Sequence, residues 1–202
     1  AYEFQLGQVF LETDEIDLNK NKFYVEELLL VDSQFNIPLP AQVANTDSNT
    51  YSSTDQSTSF FVDINLKVEE FELENISLRA FDQNDTLHSL KRLSISAEDI
   101  SANSSGFTLD LKSLSGQYNE FDELQEFHGD FAFQNSAAKA NNMQLRYGQS
   151  TIKLEAVIEY DDVAGFLDSL NIDFLAISLD DTRIASSDVK KIYTILELDS
   201  LP

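Results

Sequence analysis

The sequence predicts an all-β protein. Three observations carry that prediction. Apolar and polar residues alternate with a period of two along most of the chain. Only one stretch, near the C-terminus, has clear helical spacing. Clusters of asparagine, aspartate and serine punctuate the alternation. Strands of this kind are dry on one face and wet on the other. The chain has 202 residues, 42% of them hydrophobic, which is enough for a core and excludes a disordered tail.

Residues 1–41 carry the phrase "VEELLLVDSQFNI", from Val25 to Ile37, and read as an N-terminal β segment. Residues 42–59, "QVANTDSNTYSSTDQSTS", are almost wholly Ser, Thr, Asn, Asp and Gln. Such a stretch buries too little apolar surface to order itself and is expected to be a mobile loop or linker. Residues 60–202 then form the main strand array. In "FFVDINLKV", Val62, Ile64, Leu66 and Val68 share one face. In "VEEFELENISLRAF", Phe71 and Leu73 share a face among glutamates, and Ile76, Leu78 and Ala80 resume it one residue late. "LKRLSISA" adds Leu93 and Ile95. "GFTLDLKSL" adds Phe107, Leu109 and Leu111, with Leu114 after a slip. "GDFAFQNS" offers Phe131 and Phe133, and "NNMQLRY" offers Met143 and Leu145. "STIKLEAVIEY" gives Ile152, Leu154, Ala156, Ile158 and Tyr160. "SLNIDFLAISL" gives Leu170, Ile172 and Phe174 before shifting phase to Ile177 and Leu179.

A step of three in place of two implies a bulge, a corner or a short turn. The chain has six glycines and three prolines, and no Asn-Gly or Asp-Gly hairpin signal. Connections are therefore expected in the Asn, Asp and Ser clusters at 81–86, 102–106 and 134–142. In "SSDVKKIYTILEL", Val189, Ile192, Tyr193 and Leu196 predict one short C-terminal helix, with Ser187 as N-cap and Asp188 in its first turn. A single helical turn is expected within 161–170. The run Val25-Glu26-Glu27-Leu28-Leu29-Leu30 echoes Val68-Glu69-Glu70-Phe71-Glu72-Leu73, but the repeat spacing is too irregular for a solenoid.

The chemistry is sparse. A formal charge of −23 repels nucleic acid and anionic headgroups alike. There is no cysteine, so disulfides, thiolate metal sites and a cysteine nucleophile are excluded. No apolar run is long enough to cross a membrane. A chain beginning Ala1-Tyr2-Glu3-Phe4 reads as an excised piece of something larger or as a processed chain. The two histidines, His88 and His128, lack metal spacing, and no GxSxG, Walker or GxGxxG string occurs. Carboxylate pairs such as Asp161-Asp162, Asp180-Asp181 and Glu69-Glu70 are expected at solvated strand ends and turns. Oxygen clusters at 82–85 and 179–182 lack calcium-loop spacing. The expectation is a non-enzymatic protein with no cofactor and no bound metal.

What remains is the apolar face. It reads in two ways: as the core of a closed β-sandwich used for adhesion or ligand binding outside a cell, or as a trough along one folded sheet. The lining favours the trough. Leu, Ile, Phe and Val are spread evenly, with no polar group to fix a ligand's pose. An alkyl chain gains about 0.8 kcal/mol per buried methylene, and a uniform stripe offers that gain at nearly equal depth along its length.

The strings "INLKVEEFELENISLRAFDQND", "LKRLSISAEDI", "SGFTLDLKSLSGQY", "MQLRYGQSTIKLEAVIEYDD" and "ISLDDTRIASSDVKKI" resemble the TamB family in its Bacteroidota-type forms, over roughly Asp63 to Ile192. The chain departs from that pattern at "VKKIYTILEL", where a Phe-Pro pair is expected after the "SSD" turn and is missing. The resemblance implies an elongated, curled antiparallel sheet, a β-taco with an apolar groove. It implies a periplasmic slice of a longer protein anchored in the inner membrane. The implied partners are phospholipid acyl chains and a BamA-like, TamA-type outer-membrane barrel engaged through parts outside this chain. The implied roles are phospholipid movement to the outer membrane and assistance to outer-membrane protein assembly. This piece is expected to be a monomer. Asp85-Thr86-Leu87, Asp168-Ser169-Leu170 and Asp199-Ser200-Leu201 resemble the O-glycosylation acceptor of that lineage.

Overall fold

In a computed structural model, the described residues are 3–38, 64–81, 87–119, 123–163, 166 and 171–189. They form eleven strands: β1 (Glu3–Gln5), β2 (Gln8–Asp17), β3 (Lys22–Val31), β4 (Gln34–Pro38), β5 (Asn65–Phe81), β6 (Leu87–Asn103), β7 (Gly106–Tyr118), β8 (Leu124–Gln134), β9 (Ala137–Tyr147), β10 (Ser150–Glu159) and β11 (Phe174–Leu179). All eleven belong to one open, curled sheet, and no barrel closes. A sandwich needs two facing sheets, so that alternative is overturned.

From β5 to β11 the sheet is an antiparallel meander in chain order. The N-terminal strands join the same sheet, but β3 and β4 both run parallel to β5. The expectation of a wholly antiparallel sheet is corrected there. Parallel neighbours need a connection of a dozen or more residues, and the stretch 39–63 between β4 and β5 is long enough for one. It also contains the predicted polar linker at 42–59, which lies outside the described residues. So do the connection expected at 81–86 from residue 82 on, the three acceptor hydroxyl residues Thr86, Ser169 and Ser200, Val62, and the expected helix positions Ile192, Tyr193 and Leu196.

The curl has a readable cause. Val25, Val68 and Ile100 are in register, and so are Leu28, Phe71 and Ala97. Between these two apolar rows each strand carries two residues where strict alternation allows one: Glu26-Glu27, Glu69-Glu70 and Glu98-Asp99. Because the three strands slip at the same level, their pairing stays in step. Asp99 adopts a left-handed backbone, φ 50°. An extra residue bends a strand, and here the added length lies on the acidic, convex side. A second line of bends runs through Asp32 (φ 50°), Asn75 (φ 52°) and Arg92 (φ 51°). There the Asn75 side-chain amide donates to the Asp32 carboxylate at 2.6 Å. Asn and Asp tolerate this conformation better than other L-residues, and they stand at seven of the eight left-handed non-glycine positions among the described residues, Arg92 being the eighth.

The hairpins are tighter than the sequence suggested. Ser104-Ser105 joins β6 to β7, and Asn135-Ser136 joins β8 to β9. Gly148-Gln149 joins β9 to β10, with Gly148 at φ 58°. The expected loop at 134–142 is therefore mostly strand. Its alanines mimic a polar loop in composition, but Ala138 and Ala140 pair with Ile158 and Ala156. Within 161–170, the Phe166 N–H donates to the Asp162 carbonyl at 3.1 Å, closing one helical turn. The C-terminal helix begins at residue 186, and the Ala185 carbonyl accepts from the Val189 N–H at 3.2 Å. Ser187 is thus in the first turn rather than at the N-cap.

Candidate apolar trough

Residues paired across neighbouring strands share a face, so register shows how the dry side is assembled. One row reads Val9, Leu30, Leu73, Ile95, Leu114, Phe127, Leu145 and Ile152, across eight strands. Another reads Ile16, Phe23, Leu66, Ala102, Phe107, Phe133, Ala138, Ile158 and Leu175. Between them Leu109, Phe131, Ala140, Ala156 and Ile177 form a shorter row. These rows make the concave face one continuous apolar surface from β2 to β11.

Within it a cavity of about 780 Å³ spans β5 to β10. Phe71, Ile95, Phe107, Leu109, Leu111, Phe131, Phe133 and Ile158, all expected from the sequence, line it. Leu114 and Ala156, which the spacing also placed on the apolar face, line it too, whereas sequence patterning missed Ala97, Ile100, Phe127, Ala138 and Ala140. The alanines were missed because the search favoured bulk. On β9 the period-two spacing of Ala138 and Ala140 was the available signal.

The other expected residues fall elsewhere. Leu66 and Leu73 lie in the same rows beside the cavity. Ile76 pairs with Leu93, and Leu78 with Leu90, beyond the second line of bends; Ile76 is buried. Leu145 pairs with Ile152, and Met143 pairs with Leu154, which pairs in turn with Leu179. Ile177 continues the dry face but is 58% exposed on the edge strand. Ile64 and Ile172 lie outside the strands and are exposed. Phe174 is a correction: it pairs with Glu159, which places it on the opposite face, and Leu175 takes the inward position beside Ile158. The phase shift of β11 falls one residue earlier than the spacing suggested.

The convex face is acidic. Glu12, Glu27, Glu70, Glu98, Asp110 and Asp130 stand in one cross-strand row. Lys112 bridges Glu98 at 3.1 Å and Asp110 at 2.7 Å, and these bonds hold its ammonium up at about 12. Glu26 is raised, chiefly by the charge of Glu12. A second, polar depression of about 520 Å³ involves His128, Asn142, Lys153, Glu155 and Asp180. Among the described residues no three acidic or histidine groups converge as metal ligands. Of the proposed oxygen clusters, 82–85 lies outside the described residues; at 179–182 the Thr182 hydroxyl donates to the Lys153 carbonyl at 3.0 Å.

At one rim of the trough Tyr160, 2% exposed, donates its hydroxyl to the Gln134 carbonyl at 2.6 Å. Its ring stacks on Phe166 at 4.7 Å, and both rings lean on Phe133, which also lines the cavity. At the opposite rim Asp188, 3% exposed, accepts from the Gln149 N–H at 2.8 Å and the Ser150 hydroxyl at 2.7 Å. No helix among the described residues is long and apolar enough to cross a membrane. No family model, curated protein or solved structure matches the chain.

Proposed function

We propose that this chain is a non-enzymatic carrier of lipid acyl chains, a slice of a TamB-like conduit that moves phospholipid towards an outer membrane. The observation that carries the reading is the unbroken dry face running across consecutive strands, rather than a pocket sealed on all sides. Its lining presents hydrocarbon almost exclusively, so nothing fixes a single pose, and an alkyl chain meets similar contacts along its path. The backbone amides and carbonyls around the cavity are paired within the sheet. A polypeptide cargo would therefore leave its own polar backbone unsatisfied there, which favours lipid over unfolded outer-membrane protein. The reading carries with it a periplasmic location, a longer parent anchored in the inner membrane, and a BamA-like barrel reached through other parts of that parent.

The test is photo-crosslinking. A photoreactive residue is placed at Ile95, Leu109 or Phe131, with controls at Glu72 and Glu155 on the wet face. The chain is incubated with phosphatidylethanolamine and phosphatidylglycerol vesicles, irradiated, and weighed intact. Covalent lipid at the three apolar sites and none at the glutamates is the expected result. Absence of lipid at all three, in folded protein, rejects the reading.

A further inference from the structure

We infer that the stacked pair Tyr160 and Phe166 is a stop that ends the trough at the rim where β8 meets β9, and so sets how much of an alkyl chain the trough can seat. The inference rests on the lipid-carrier reading above. Its independent observation is that Phe133 belongs to both structures at once. That ring lines the cavity and lies 5.9 Å from Tyr160 and 6.2 Å from Phe166, centroid to centroid. Ile158 also lines the cavity, two residues before Tyr160 on the same strand.

The stop is anchored. The Tyr160 amide donates to the Ser136 carbonyl at 3.1 Å, and its hydroxyl donates to the Gln134 carbonyl at 2.6 Å, on the two sides of the same hairpin turn. Val163, 3% exposed, packs in the helical turn that presents Phe166. Along the concave face, by contrast, the apolar rows run out to Val9 and Ile16 on β2 with no such cluster among the described residues. An alkyl chain in this part of the trough therefore has one bounded side, where its terminal methyl meets aromatic rings.

The experiment measures affinity for a series of straight-chain fatty acids from ten to twenty carbons by displacement of a fluorescent fatty acid. Each methylene that finds trough surface raises affinity about fourfold, and in the natural chain that gain ceases once the methyl reaches the stop. Phe166→Ala is expected to extend the gain by about two further carbons, at the same ratio per methylene. Phe166→Trp is expected to end it sooner. Tyr160→Phe, which keeps the ring and removes the anchoring hydroxyl, is expected to blur the plateau. Circular dichroism confirms that each variant keeps its strands. Fatty acid binding with an unchanged plateau in both Phe166 variants overturns the stop while leaving the carrier reading intact. No binding of any fatty acid by the natural chain overturns both.

Discussion

Asp188 shows what one side chain does for this fold. It is the acid of the predicted helix start, yet its carboxylate is buried against the β9–β10 turn, where Gln149 and Ser150 donate to it. Gly148 sits so close that a Cβ there would meet the Asp188 carboxylate oxygen at 2.6 Å. The helix start is thereby pinned to the sheet. Asp188→Ala takes the acceptor from the buried Ser150 hydroxyl and the part-buried Gln149 N–H and is expected to destabilise the chain by about 1–3 kcal/mol, read by urea denaturation. Tyr160 makes a second case. Burial pushes its phenol above the ordinary value of 10.0. A group whose pKa is raised on folding adds stability that is complete below its unfolded pKa and is lost as pH rises through the folded one. Lys112, raised to about 12 by Asp110 and Glu98, acts in the same direction. The midpoint of thermal unfolding is therefore expected to fall as pH climbs above 10, and Tyr160→Phe and Lys112→Gln together should flatten that fall.

Strands β3, β5 and β6 show how the sheet comes to be curled. Each carries one extra outward residue at the same level, so the bend is shared and the pairing is kept. Deleting Glu69 alone removes the extra residue from β5 only. Either Leu66 and Val68 or Phe71 and Leu73 must then turn to the wet side, because a one-residue shift exchanges faces. Loss of strand signal and of soluble protein is the expected outcome. Glu26→Gln, at the same level in β3, keeps the extra residue and removes repulsion from Glu12, Asp14 and Glu69. It should raise the unfolding midpoint near neutral pH. That advantage should fade as the medium is acidified through the carboxylate range, since the repelling acids lose their charge there. The strands themselves were legible because period-two alternation is a local property. The slips at Leu73 to Ile76 and at Leu111 to Leu114 were legible too, and both coincide with register shifts. The parallel pairing of β3 and β4 with β5 was not, since no local pattern tells a strand which neighbour lies across a long connection. Ala138 and Ala140 were missed as trough lining for a related reason: the trough is a property of facing strands, not of one.

Among the described residues, the sheet ends in two edges with no further strand beyond them. Val9, Leu11 and Ile16 on β2 are 54%, 57% and 56% exposed, and every residue of β11 is exposed. Edge strands offer unpaired backbone groups to other chains, and here the dry face continues right up to them. A net charge of −23 opposes that association by repulsion between copies. The two effects scale differently with salt. Screening shortens the reach of the charges to about 8 Å at physiological ionic strength and about 3 Å at 1 M, while apolar contact is not weakened. Sedimentation velocity should accordingly show a monomer at low salt and concentration-dependent association at high salt. Ile177→Lys and Leu11→Lys place a charge on each edge's dry side and should abolish the association without altering the monomer. A high-salt monomer in the unmodified chain would mean that the twist of the edge strands already prevents pairing. Association unchanged in both lysine variants would place the contact on some other surface.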